Sequence, residues 1–216
     1  MTIQWLGQSC FKIQTKNNGI ESTIVCDPFS TKEGLKMPKV QADVITVSHD
    51  HYDHNNIEAI KGDPYIINTP GEYETKEIMF YGISSFHDDK KGKERGLNTI
   101  YKIISEDLNL VHLGDLGDDL DDEQMERLGV VDILLIPVGG IYTIDSKKAI
   151  EIISKIEPRI VIPIHYKISG QETKISTADE FIKNCGLPSE KMDKLKIAKK
   201  DLPQENTKLI ILSPSA

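Results

Sequence analysis

At 216 residues, with 38% apolar content, the chain can bury one sizeable core, and it reads as a single domain over residues 1–216. A net charge of −8 opposes a general polyanion binder, because affinity for phosphate backbones comes largely from clustered Lys and Arg, and no nucleic acid is expected as a partner unless a local patch overrides the total. The cysteines Cys10, Cys26 and Cys185 are widely spaced and form no Cys-x-x-Cys pair, the opening MTIQWLGQSC lacks both parts of a signal peptide, and no apolar run is long enough to span a membrane. The expectation is a cytoplasmic protein without a membrane span, its oligomeric state left open, a homo-oligomer included.

The segment TIQWLGQSCFKIQT alternates, Lys16 to Gly19 turns, and ESTIVCDPF continues until Pro28 stops it, which predicts an opening antiparallel sheet. ADVITVS is a short β-rich run ending in a His/Asp cluster, after which Asn55 or Asn56 is placed to cap a short helix, IEAIKG. PYIINT and KEIMFYGISSF predict further strands, the second leading into His87. After a polar loop rich in Lys and Gly, NTIYKIISEDLNLVHLGD predicts a hairpin turning over Glu106 to Asn109.

The character then changes. DDLDDEQMERLG has acids at its first turn, Arg127 in its last and Gly129 beyond, as a helix dipole prefers. The same acids lack the Gly and closing Glu of an EF-hand loop, so helix capping explains them better than calcium. VDILLIPVGG and RIVIPIHY read as buried strands around the amphipathic helix SKKAIEIISKIEP, giving βα units with parallel strands. STADEFIKNCG predicts one more capped helix and TKLIILS a final strand.

Imidazole and carboxylate suit divalent zinc, and the loop after ADVITVS concentrates them in His49, Asp50, His51, Tyr52, Asp53 and His54. In an extended stretch, residues i and i+2 share a face. His49 and His51 can therefore grip one ion while the chain turns Asp53 and His54 toward another. A single histidine usually serves other ends, but this density directly after a buried strand points to metal.

The run Ser48-His49-Asp50-His51-Tyr52-Asp53-His54 resembles the S-H-x-H-x-D-H signature of the metallo-β-lactamase superfamily. The resemblance implies an α/β fold, a four-layer αββα sandwich, and three further ligands near the ends of later strands. These are His87 closing GISSF, Asp115 in His112-Leu113-Gly114-Asp115-Leu116-Gly117, and His165 ending RIVIPIH. It implies that His49, His51 and His87 hold a first metal and Asp53, His54 and His165 a second, with Asp115 bridging. His112 is the alternative to His87, because the Gly-His that follows this position in many relatives is Asp88-Asp89 here; its place inside a strand favours a packed or supporting role. Trp5-Leu6-Gly7-Gln8-Ser9-Cys10, Val25-Cys26-Asp27-Pro28-Phe29 and the 112–117 run resemble the branch that includes ascorbate-phosphate lactonase-like and N-acyl-phosphatidylethanolamine phospholipase D-like proteins.

The expected cofactor is two divalent metal ions, zinc first, with manganese or iron also suited to the ligands. Such a pair activates water and polarises a carbonyl or phosphoryl oxygen, and Asp53 takes the catalytic role of orienting the hydroxide. The expected enzyme is a hydrolase cleaving an ester, lactone, amide or phosphodiester bond of a small molecule. One alternative is a metal-dependent nuclease or phosphodiesterase on nucleic acid, disfavoured by the acidic charge and by the short stretch between Asp115 and His165, which has no room for an inserted domain. The other is a di-iron redox protein of the same fold, which would need a flavin domain from a partner. Arg95 and Asn98, in the polar loop after His87, are candidates to pair with a substrate carboxylate or phosphate, and Tyr142 after Gly139-Gly140 is a third candidate contact.

Overall fold

Trp5, Phe11, Phe80 and Tyr101 are fully buried on strands of two sheets that share one core, and Phe181 joins them from a helix. The computed structural model describes residues 1–31 and 34–215. In chain order come β1 (Thr2–Gly7), β2 (Cys10–Asn17), β3 (Ile20–Cys26), β4 (Val40–Gln41), β5 (Val44–Thr46), β6 (Ile60–Lys61), β7 (Tyr65–Ile67), β8 (Gly71–Thr75), β9 (Ile78–Phe86), β10 (Leu97–Ser105) and β11 (Leu108–His112). They are followed by α1 (Asp122–Leu128), β12 (Ile133–Pro137), α2 (Ser146–Ile156), β13 (Ile160–Ile164), α3 (Asp179–Asn184), β14 (Ser189–Met192), β15 (Leu195–Lys196) and β16 (Lys208–Leu212).

One sheet runs β15-β1-β2-β3-β5-β7 and the other β14-β16-β13-β12-β11-β10-β9-β8. Strand alternation explains how the first sheet is covered on both faces. Ile3, Trp5, Phe11, Ile13, Ile24 and Cys26 point into the core shared with the second sheet. Their neighbours Leu6, Cys10, Val25 and Ile45 point the other way, onto Phe29, Met37, Val40 and Ile60. Among the described residues, the outer cover of this sheet is thus drawn from the stretches 28–31 and 34–60, with the small β4–β6 ladder, rather than from a long helix.

The second sheet changes from antiparallel to parallel at β11, which pairs parallel with β12, as β12 does with β13 and β13 with β16. Those are the expected βα units. Helix α1 starts with a reciprocal capping box between Asp121 and Gln124, and Gln124 Nε2 also donates to Ser84 O at 2.8 Å, tying the helix to β9. Helix α2 is capped by Asp145 through Lys148 N and buries Ala149, Ile152 and Ile153, the i, i+3, i+4 stripe of an amphipathic helix. No helix among the described residues is long and apolar enough to cross a membrane.

Three local expectations need correction. The helix over IEAIKG is one turn of 3-10 helix, Ile57–Ala59, without a side-chain cap, because Ile60 and Lys61 pair with Val40 and Gln41 instead. The hairpin between β10 and β11 turns over Glu106 and Asp107 alone, both at positive φ, with Ser105 already opposite Leu108. Helix α3 covers only Asp179–Asn184 and has no side-chain cap.

Candidate metal centre

Every expected ligand stands in a loop directly beyond a strand: 49–54 after β5, His87 after β9, Asp115 after β11, His165 after β13. The parallel strands end in register, so their loops share one rim. Two close backbone approaches bring the rim together. A Cβ on Gly117 would collide with the His87 backbone, and one on Gly139 with the His165 carbonyl. His165 itself sits at φ 48°, a costly conformation for a non-glycine residue, and its N–H donates to Gln8 O at 3.2 Å.

The seven side chains expected to bind metal meet in one place. Ligand-type atoms of His49, His51 and His87 lie within 4.8 Å of one another, as do those of His49, His54 and Asp115, and those of Asp53, His54 and His165. Asp115 is central: its Oδ2 stands 3.2 Å from His54 Nε2, 3.3 Å from His165 Nε2 and 3.5 Å from His87 Nε2. Its other oxygen accepts from Ser9 Oγ at 3.2 Å. Asp50 points outward and accepts from Asn55 Nδ2.

A residue the sequence reading did not assign to the site organises it. Asp27, just beyond β3 and buried, accepts Ser48 N at 2.7 Å on Oδ1 and the Ser48 hydroxyl at 2.6 Å on Oδ2. With that hydroxyl proton spent, the 2.9 Å contact between Ser48 Oγ and His49 Nδ1 must be donated by the imidazole, which leaves the Nε2 lone pair free. Asp27 Oδ2 likewise takes the Nδ1 proton of His54 at 2.9 Å. The Nε2 atom of His49 is buried without a hydrogen-bond partner, and that of His54 faces Asp115 Oδ2 at 3.2 Å. Nitrogen lone pairs held this way inside a protein, with the opposite ring nitrogen fixed by an acceptor, fit a cation. On His87 and His165 it is the outward Nδ1 that lacks a partner.

The electrostatics match a site built to exchange protons for cations. Burial, reinforced by the neighbouring imidazoles, holds His49 and His87 below the usual histidine range, so both present neutral nitrogen. Burial also works against charge on His54, but the carboxylates of Asp115 and Asp27 outweigh it and raise that imidazole well above its ordinary value. Asp115 is opposed by burial too, yet the surrounding His165 and His54 keep its carboxyl ionised far below the usual range. A cation arriving at His54 competes with a proton there.

His112 stands apart from the cluster. Gly114 N donates to its Nδ1 at 3.0 Å and its Nε2 reaches Ser9 O at 2.8 Å, so both ring nitrogens are spent on bracing the loops that carry Ser9 and Asp115. Asn98 corrects another expectation. It lies inside the protein, its Nδ2 donating to Ser85 Oγ and Leu113 O and its Oδ1 accepting from Asp115 N at 3.0 Å, which leaves nothing for a substrate. Arg95 and Tyr142, in contrast, line a cavity of about 340 Å³ together with His51, Asp53, His87 and His165. The departure Asp88 has its own use: buried, it accepts four backbone N–H bonds from residues 90–95, which outweigh burial and lower its carboxyl below the usual range.

Comparison with known proteins gives three findings. The sequence profile of the beta-lactamase superfamily domain matches residues 2–165. A metal-dependent hydrolase of Thermoplasma volcanium is 31% identical over 194 residues, covering 76% of this chain and 82% of that protein; one of Staphylothermus marinus is 29% identical over 193 residues, with 76% and 82% covered. The crystal structure of a Thermotoga maritima protein, assigned as a Zn-dependent hydrolase of the metallo-beta-lactamase superfamily, superimposes with a TM-score of 0.80 at 32% identity and covers 98% of each chain.

Proposed function

The chain belongs to the metallo-β-lactamase superfamily of metal-dependent hydrolases, and from that premise we propose that it holds two divalent cations, zinc in both places, and hydrolyses an ester, lactone, amide or phosphodiester bond of a small molecule. His49, His51 and His87 are assigned to one cation and Asp53, His54 and His165 to the other, with Asp115 between them. The observation that carries the reading is the buried, unpartnered Nε2 of His49 grouped with the His54 Nε2 that faces Asp115, the first ring anchored by Asp27 through Ser48 and the second directly.

Bound cations of this kind supply Lewis acidity and bring the pKa of water toward neutrality. The chain's own groups do the rest. Asp53 is less buried than Asp115 and edges the cavity, placed to accept a proton from the attacking water and to orient it. Asp115 is held rigidly by Ser9 and by the Asn98 bracket on its backbone, so the cluster does not reorganise as charge develops. The cavity is of a size that takes a small ligand. No serine or cysteine is among the described residues lining it. All three cysteines are unpaired, which suits a reducing compartment such as the cytoplasm.

Elemental analysis of purified protein is expected to find about two metal equivalents per chain, as a paired site requires. Asp53→Ala is expected to abolish hydrolysis of bis-p-nitrophenyl phosphate with an unchanged circular dichroism spectrum. A preparation that holds no metal and takes up neither zinc nor manganese on titration refutes the assignment.

A further inference from the structure

We propose that Arg95 and Tyr142 form an anion subsite that selects substrates carrying a carboxylate or phosphate oxyanion beside the bond to be cleaved; the location of that bond rests on the hydrolytic reading above. Arg95 Cζ stands 5.6 Å from the centroid of the Tyr142 ring. Both line the cavity into which His51, Asp53 and Asp115 open, and Arg95 is the one cation among the described residues that do so. No carboxylate among the described residues lies within ion-pair distance of its guanidinium, although Asp and Glu outnumber Lys and Arg by 34 to 26 in the chain. Glu94 lines the cavity as well but makes no ion pair with Arg95, so the guanidinium is available to an anion from outside.

Both members of the pair are fixed from behind. The buried Asp88 carboxylate accepts Lys90 N at 2.8 Å and Gly92 N at 2.9 Å on one oxygen, and Glu94 N at 3.0 Å and Arg95 N at 2.7 Å on the other. That folds the loop over its own acid and sets where the Arg95 side chain begins. On the opposite wall, Tyr142 N–H donates to Gly140 O at 2.7 Å across Ile141, which sits at φ 61°. Three-residue turns with a positive central φ are strained, and a β-branched residue is costly there. Ile141 is also 56% exposed, so burial does not offset the cost locally. What the turn achieves is the placement of Tyr142 beside the guanidinium. Stacking on a ring face fixes the plane of an arginine and leaves its N–H fork open, the geometry that matches two oxygens of a carboxylate or phosphate.

A second cavity, of about 530 Å³, adjoins the first and shares His87, Arg95 and Tyr142 with it. Lys148 lines that side but is engaged by Asp119 and Glu151. Lys147 lines that side as well, and Arg95 borders both spaces.

The test uses the metal-loaded protein and a matched pair of esters, 4-nitrophenyl hemisuccinate and 4-nitrophenyl butyrate, with Arg95→Gln as the variant. The wild type is expected to favour the anionic ester in kcat/KM by about tenfold, and Arg95→Gln to lose that preference chiefly through KM. An absent preference in the wild type, or one retained in the variant, overturns the proposal. A binding arm, calorimetric titration with glutarate, propyl phosphate and neutral glutaramide, is expected to show glutarate or propyl phosphate bound about tenfold more weakly by Arg95→Gln, and the anion that loses more identifies the oxyanion. Equal affinities for both proteins overturn the subsite. If neither ester is turned over while anion binding still depends on Arg95, the hydrolytic reading fails and the subsite stands.

Discussion

Asp27 Oδ2 lies 2.9 Å from His54 Nδ1 and takes the Ser48 hydroxyl at 2.6 Å, so one buried carboxylate orients two imidazoles of the cluster, His54 directly and His49 through Ser48. Asp27 is also in the left-handed region, at φ 45°. Asn tolerates that backbone, so Asp27→Asn isolates the acceptor from the turn. An amide cannot accept on both of its heavy atoms, so its NH2 faces either the Ser48 N–H or the Ser48 hydroxyl and His54 Nδ1 together, and the loop that carries both imidazoles loses an acceptor in either case. Metal affinity, read by competition with a chromophoric zinc chelator, is expected to fall about 10–100-fold. Equal affinity would remove Asp27 from this role.

Asn98 supports a second prediction, because three groups depend on it. Asn98→Ala strands Asp115 N and leaves Leu113 O and Ser85 Oγ without its amide. Buried groups deprived of a partner cost about 1–3 kcal/mol, so the urea midpoint should drop accordingly. Since Asn98 is shut away from the cavity, the variant is expected to lower kcat by loosening Asp115 and to leave KM nearly unchanged. A raised KM with full kcat would restore the substrate contact that the sequence suggested.

The contrast between Asp27 and the 49–54 loop shows what is legible in a sequence. The loop is readable because its ligands are neighbours in the chain, whereas His87, Asp115 and His165 come from the resemblance to the metallo-β-lactamase superfamily, which implies further ligands near the ends of later strands. Asp27 also closes a strand, but its value depends on Ser48 and His54 arriving from another part of the chain, and nothing near residue 27 announces them. Asn98 misled for the same reason: it follows a loop of Lys and Gly, yet β10 has already begun at Leu97, and its amide is drawn inward by Ser85 and Leu113. Ile57 to Lys61 carry a helical pattern that the ladder with β4 overrides. Strands β14 and β15 are short and largely polar edge elements, without the alternation that would reveal them.

The buried thiols give a pH prediction. Burial, aided by the Asp27 charge and opposed by Thr46, pushes the Cys26 thiol up to about 12, and burial with the charges of Cys26 and Asp27 raises Cys10 well above its usual value. An unfolded thiol titrates near ~8.5, so folding favours the protonated form. That contribution is complete below the unfolded value and is lost as pH rises through it toward about 12. Urea midpoints are therefore expected to fall from about pH 8.5 upward, and less steeply in a Cys10→Ala, Cys26→Ala double variant. In the native protein a disulfide reagent should modify Cys185 alone, which is only half-buried, and all three cysteines after denaturation.

Gly117 tests whether the rim itself sets the metal site. Its N–H donates to Phe86 O at 2.8 Å, which brings the 115–117 loop against the end of β9, and an added methyl would meet the backbone of His87 and Asp88 rather than a side chain that can swing away. Gly117→Ala is expected to cost about 1–3 kcal/mol by overpacking and to push His87 out of the cluster. Because Asp53, His54 and His165 are reached from other loops, one metal equivalent should remain tightly held while the other is lost. Gly19→Ala is the control: at φ 89° it strains the backbone, which Gly117→Ala does not, but its methyl meets nothing within 4 Å, and it should keep the full metal complement. Equal metal content in Gly117→Ala and Gly19→Ala would show that His87 can be displaced without consequence, and the assignment of the first metal to His49, His51 and His87 would fall with it.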